Sequence, residues 1–293
     1  MSEKNPIEME LAKLDEQWEE FVSSEAPIFR WSLKPDALRL ANTFVKVKEQ
    51  FDDDASDLFI TLSSSFTKGE NFAFDLAEEM NSLLDEGFKD AKLQEKAEGD
   101  TEDKNDIAWH RPDLSAYTNG FQALFESAQK ILDALGEYID LLVLPIMPTQ
   151  ASNIHHYLAW WDNCARIHRD YSIWPEKLKL IVFENCAHPL LQEPADHYPD
   201  QIFSLTAPSD MKSALNKILD GADDGSPGAK IRREIATLNY AIGEQDQKTM
   251  EASAERALHV AQENNFFDML ATCLLYTSPS PRDRTRSRMP SSA

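Results

Sequence analysis

The sequence predicts an α/β protein: a layered domain on a mostly parallel sheet of about four strands, followed by an all-α segment. Three observations predict it. Short apolar, β-rich runs at Asp57 to Leu62, Tyr138 to Leu144, Leu178 to Phe183 and Gln201 to Leu205 alternate with stretches of helical periodicity, as βαβ crossovers require. One of them, YIDLLVL, is nearly all apolar, which suits a strand covered on both faces. Beyond Gly221 to Gly228, which hold three of the nine glycines, strand signals stop and only helical stripes continue.

Taken in order, residues 1–56 are expected to form N-terminal helices. Ile7, Leu11, Leu14, Trp18, Phe21 and Val22 make one stripe. Lys34-Pro35-Asp36 opens a second helix, because proline suits the first turn and aspartate its positive end, with Ala37, Ala41, Phe44, Val45 and Phe51 on its buried side. The α/β domain is expected over 57–220. After its first strand come Ser63-Ser64-Ser65 and a helix from about Phe72 to Leu84. Lys89 to Asp106 then mix seven acids with four lysines and read as a solvated loop, bounded as 89–106. Leu114, Tyr117, Phe121, Leu124, Ala128, Ile131 and Leu135 give the longest clean helical periodicity and lead into the strand Tyr138 to Leu144, which Pro145 and Pro148 are expected to end. A helix with Ile154, Leu158, Trp161, Ala165 and His168 on one side precedes Leu178 to Phe183. Ser209 opens a helix carrying Met211, Leu215, Ile218 and Leu219.

Residues 221–228 (GADDGSPG) read as a linker. In 229–272, Ile231, Ile235, Leu238 and Ile242 form one stripe, and Met250, Ala254, Ala257, Leu258 and Ala261 a second, a helical hairpin with alanines at the close approach. Phe266, Phe267, Leu270 and Ala271 begin a third helix. This hairpin, in the part AERALHVAQENN, resembles the start of a tetratricopeptide-type helical repeat array. Ala257-Leu258 match the small-then-large pair of its second helix. Glu234, Leu238 and Ala241 stand where the family has a large aromatic, glycine and tyrosine. The resemblance implies peptide or protein binding on a concave surface.

Cys273 to Ala293 resemble a translated sequencing adapter. Written back into codons, CLLYTSPSPRD and SRMPSSA match the two parts of a transposon-type adapter in one frame, with Arg284, Thr285 and Arg286 between them as a sample index. The segment is read as an artefactual, disordered tail. The natural chain is expected to continue past Thr272.

Setting aside that tail removes four arginines and one aspartate, and the net charge falls from −22 to −25. A chain this acidic repels phosphate backbones and anionic lipid, so no nucleic acid and no membrane is expected as partner. Ile139 to Met147, the longest apolar run, is far too short to span a bilayer. The first twenty residues lack the basic start and apolar run of a signal peptide, and two cysteines remain outside the tail, so a reducing, cytoplasmic setting is expected.

Alternating strands and helices over 57–220 also resemble an NTPase-like α/β domain, but without a P-loop. Phosphate cradling needs glycines followed by Lys and Ser/Thr, whereas Ser63 to Asn71 (SSSFTKGEN) places its single glycine, Gly69, after Lys68. Pro145 stands where a metal-holding acid would end the strand before it. Ligands of open parallel sheets sit beyond the carboxyl ends of the strands, which makes Ser63, Ser64, Ser65, Lys68, Pro145, Glu184 and Asn185 the candidate ligand-binding residues. Turn formation is the alternative use of the same residue types. Cys164, His168, Cys186 and His188 could in principle gather around zinc, but they lack the tight pairs of structural zinc sites, so no metal and no cofactor is expected. Trp160 lies off the apolar stripe of its helix and, with Tyr157, is the candidate partner contact. No G-x-S-x-G elbow or other catalytic constellation is present.

The expected function is a non-catalytic scaffold or adaptor that binds other proteins or peptides. The alternative is a nucleotide-binding switch or NTPase-related regulatory enzyme with a degenerate site.

Overall fold

A computed structural model describes residues 5–35, 37–49, 57–98, 109–208, 211–222, 224–244, 246–264 and 266. The chain divides into two compact units. One comprises residues 13–34 and 38–208, and the other gathers 1–12, 35–37 and 209–293. The division therefore falls at Pro208, ahead of the glycine-rich segment 221–228.

The first unit is built on a five-stranded parallel sheet. Its strands are β1 (Ile28–Leu33), β2 (Asp57–Phe59), β3 (Leu141–Ile146), β4 (Leu178–Asn185) and β5 (Ile202–Thr206), in the order β2-β3-β4-β1-β5. The expected four strands are all present, and β1 is an addition that corrects the reading of 1–56 as helices. It lies between β4 and β5, with all six residues buried. A strand inside a sheet needs partners for polar side chains as well as for its backbone, and Arg30 and Ser32 conceal this one from a pattern search.

Side chains alternate across the sheet. Phe29 and Trp31 point to one face, where α1 (Pro6–Val22) and α2 (Leu38–Glu49) lie. Phe21 stacks on Phe29 at 4.8 Å, Phe44 meets Trp31 edge-on at 5.4 Å, and Trp18 reaches Phe59 at 5.1 Å. Each such ring, fully buried, contributes about 1.5–3 kcal/mol over exposure. Ile28, Leu142, Leu144, Leu178, Leu180 and Val182 point to the other face and join the larger core. There they meet α3 (Gly69–Glu98), α4 (Gly120–Leu135), α5 (Ile154–Asp170) and α6 (Gln192–His197).

Two local departures have plain causes. Pro145 continues β3 instead of ending it, in register with Ile181 of β4. Its carbonyl accepts from Leu62 N at 2.9 Å, so its missing N–H faces the edge strand β2, where an absent ladder bond is tolerable. The β2–β3 ladder accordingly lapses after Phe59 and resumes only as a bridge between Leu62 and Ile146. Second, α3 continues to Glu98, so the first part of the expected loop 89–106 is helical. DAKLQEKAE holds strong helix formers and no breaker. Residues 99–106 lie outside the described residues.

The second unit contains α7 (Met211–Gly221), α8 (Pro227–Glu244) and α9 (Gln247–Glu263). The expected linker 221–228 overlaps both helices, since α7 ends at Gly221 and α8 begins at Pro227; Gly225 adopts φ +72°, a conformation that favours glycine, and Ser226 Oγ accepts from Ala229 N at 3.1 Å to start α8, with Pro227 in its first turn. The hairpin of α8 and α9 forms as expected, with Ile231, Ala257 and Ala261 buried together and Ile235 and Leu258 packed against them. Asp246 caps α9, its Oδ1 accepting from Thr249 N at 3.1 Å. The expected third helix from Phe266 onwards and the tail 273–293 lie, but for Phe266, outside the described residues.

Candidate functional site

In an open parallel sheet the ligand crevice lies at the carboxyl edge, where successive connections leave in opposite directions. Here β1 connects leftwards to β2 over one face, while β2, β3 and β4 connect rightwards over the other. The switch point is therefore between β1 and β4. The loop that would cradle phosphate follows β1, and its sequence, Lys34 to Ala37, contains no glycine. The P-loop comparison made on Ser63 to Asn71 was thus placed on the edge strand, and the strand that matters lacks the motif as well.

The two strands that flank the switch point are joined by side chains of the chain itself. Arg30 of β1 donates through Nε and Nη2 to Glu184 Oε1 of β4, with both side chains at least nine-tenths buried. Arg30 Nη2 also reaches Gln192 Oε1 at 3.0 Å and Nη1 reaches Ser204 Oγ at 3.4 Å. Glu184 Oε2 accepts from Leu191 N at 2.9 Å. Every polar group is thereby matched, the condition under which a buried pair is tolerated. Asn185 closes the following turn, its Oδ1 accepting from Ala187 N at 2.9 Å.

A second group of donors is matched the same way. Ser63 and Ser64, after β2, direct their backbone N–H groups and hydroxyls at the carboxylate of Glu79 on α3, in four bonds of 2.7–2.8 Å. Ser65 Oγ pairs with Thr149 Oγ1 at 2.7 Å. Three of the candidate ligand residues therefore act as turn residues held by internal partners. Glu79 was invisible in the sequence, because a lone acid on an acidic helix face carries no signal. Beside it Asp75 has its carboxyl pushed above the ordinary range by partial burial.

Lys68 stands apart from these networks. It is exposed and lines an open cavity of about 800 Å³ at the same edge of the sheet. Two helices begin beside that cavity, α3 at Gly69 and α4 at Gly120, and α5 lines it with one flank, His156, Ala159, Trp160 and Asn163. The remaining wall is aromatic, from Phe74, Phe121 and Trp160. None of these except Lys68 had been singled out for ligand binding, since the meeting of α3, α4 and α5 depends on strand order.

Other candidate residues separate. Trp160 is 2% exposed, packed between Phe121 at 5.5 Å and Phe72 at 5.0 Å, because α3 and α4 both cover the face of α5 that the stripe left open. It is not an outward partner contact. Tyr157 packs against Phe66 and Trp161, and burial pushes its hydroxyl up to about 12, so it too faces inward. Cys164 is fully buried in mid-helix, where burial drives its thiol well above its ordinary value. His168 sits at the amino edge against Trp174, whereas Cys186 and His188 follow β4 at the carboxyl edge. The four cannot meet, and among the described residues no group of three His, Cys, Asp or Glu converges as a metal site. No helix of the described residues is long and apolar enough to cross a membrane.

No protein-family model matches the sequence, and no curated protein is significantly similar to it.

Proposed function

We propose that the chain is a non-catalytic interaction protein: an NTPase-like α/β domain whose switch-point crevice has been given over to structure, joined to a tetratricopeptide-like helical segment that binds other proteins or peptides. The observation that carries this reading is the Arg30–Glu184 pair. The pair joins β1 and β4, the strands flanking the position where a sheet of this topology takes its ligand, and the loop after β1 has no glycine to admit phosphate. The α8–α9 hairpin supports the second half, because alanines at its crossing, Ala257 and Ala261, suit the close helix pairs of repeat arrays.

The reading is tested by hydrolysis and by cross-linking. Incubation of the full chain with ATP or GTP and Mg²⁺ is expected to release no phosphate above background. Turnover above background would favour the nucleotide-switch alternative. With a partner purified alongside the protein, cross-links are expected on exposed positions of α8 and α9 such as Lys248. Links confined to residues 13–208 would overturn the role given to the helical segment.

A further inference from the structure

We propose that the open edge of β5 takes up an extended, basic segment of another protein as a sixth strand of the sheet. The proposal is independent of the role given to α8 and α9, since β5 belongs to the first unit.

The backbone carries it. Ile28 N donates to Gln201 O at 3.2 Å and Ala207 N to Ser32 O at 2.8 Å, so residues 201, 203, 205 and 207 turn their polar backbone groups to β1. Ile202, Ser204 and Thr206 turn theirs outward. Two of these outward groups are closed, one at each end of the strand: Ile202 N donates to Tyr198 O at 2.9 Å, and Thr206 O accepts from Gln17 Nε2 at 2.9 Å. The Ile202 carbonyl, the N–H and carbonyl of Ser204 and the Thr206 N–H have no partner among the described residues, and Ser204 and Thr206 are exposed. An added strand of about three to five residues completes all of them, in either direction.

The other edge of the same sheet is sealed. β2 is only three residues long, and the outward donors that follow it, Thr61 N and Ser63 N, end on the carboxylates of Glu49 at 3.1 Å and Glu79 at 2.8 Å. Short strands and nearby charges are how a fold keeps an edge from pairing with another chain. The β5 sequence, IFSLT, carries neither charge nor proline and is rich in strand formers.

Charge chooses the occupant. Asp200 leads into β5, and Glu193 and Asp196 are exposed on α6 just before it. Glu20 is exposed on α1 between Gln17, which bonds Thr206 O, and Phe21, which lies 6.0 Å from Phe203. Of the cations, Lys13 lies one turn before Gln17, and Arg169, over the Tyr198 ring at 5.0 Å, is matched by Asp170. A second copy of the chain, with 51 acidic against 29 basic side chains, would bring like charge to this border. Lysines and arginines alternating with apolar residues would meet the acids and pack beside the half-buried Phe203 and Leu205.

The test uses the whole chain and three synthetic heptapeptides: KVRVTVK, its acidic counterpart EVEVTVE, and KVRVTVK with every central amide N-methylated, which cannot donate to a strand edge. Each is titrated to 5 mM while the N–H resonances and amide exchange of Ser204 and Thr206 are followed by NMR. KVRVTVK is expected to shift both resonances saturably and slow their exchange at least tenfold, and the other two peptides to bind at least tenfold more weakly. Thr206→Pro, which removes an outward N–H and leaves the groups facing β1 in place, is expected to weaken KVRVTVK at least tenfold. The methylated peptide asks the same question of the unaltered chain. No saturable shift at Ser204 and Thr206 with KVRVTVK overturns the proposal. So does the methylated peptide binding as tightly, which would mean contact without strand pairing. Equal affinity for EVEVTVE overturns the basic chemistry assigned to the partner. Exchange at both residues that is already slow without peptide, and quickens on dilution, overturns the proposal by giving the edge to a second copy.

Discussion

Two regions of one sheet edge treat the same chemistry in opposite ways. Between β1 and β4, and again after β2, cationic or N–H donors converge and the chain supplies its own carboxylate, Glu184 in the first place and Glu79 in the second. Beside Lys68, at the starts of α3 and α4, the sheet edge instead stays open, and the described lining of that cavity holds no carboxylate. The difference teaches where ligand capacity resides in this fold. The topological switch point predicts a crevice, but a crevice whose electrostatics are already balanced from within is part of the scaffold. Balance has to be checked donor by donor before position is taken as function.

The largest expected effect breaks the filled region. Glu184→Ala leaves Arg30 buried without its counter-charge and is expected to cost about 3–5 kcal/mol in urea unfolding. The double change Arg30→Met with Glu184→Leu should recover most of the loss, since a well-packed apolar pair avoids the desolvation penalty. Phosphate or sulfate added to Glu184→Ala should restore part of the stability by occupying the vacated partner position. A single variant as stable as the parent would show that the crevice is not held by this pair, and the comparison would fail.

How far sequence reasoning reached depends on whether a feature was local. β3 and β4 were legible because a strand covered on both faces is a continuous apolar run, and α4, α8 and α9 because their stripes repeat every three to four residues. β1 was not, because Arg30 and Ser32 interrupt IFRWSL with groups whose partners, such as Glu184, lie about 150 residues away. Its omission moved the phosphate-loop comparison to the wrong strand. Pro145 was read as a terminator because the rule for proline depends on which neighbour its missing donor faces, and that is known only once β2 is the edge. Of the open cavity, Lys68 was legible as a loop cation beyond a strand. Gly120, Phe121 and His156 were not, since each begins or follows an unrelated helix in the sequence and only the sheet order brings them together.

A middle-sized effect sharpens the comparison at Glu79. Its carboxylate holds four donors from Ser63 and Ser64 on a partly exposed loop. Glu79→Gln keeps the shape, replaces one acceptor oxygen with an amide that repels the N–H groups it faces, and is expected to cost about 1–3 kcal/mol. Amide exchange should accelerate at Ser63 and Ser64 while Gly120 is unaffected. Added sulfate should slow it again, because the loop would then present unmatched donors. Unchanged exchange at both serines would mean that Glu79 follows the loop rather than holding it.

The smallest effect comes from the opposite edge of the sheet and separates changes in the fold from changes in either region. His168 packs edge-on to Trp174, its Nδ1 is buried without a partner, and burial, followed by the nearby charge of Lys179, holds its imidazole below the ordinary 6.5. A histidine depressed in the folded state is neutral there while the unfolded chain takes up a proton, so stability is fully present above pH 6.5 and declines as pH falls toward the folded value. His168→Phe is expected to remove that step from the unfolding free energy between pH 7 and 5. A step that survived the substitution would assign the decline to another group and detach it from this edge.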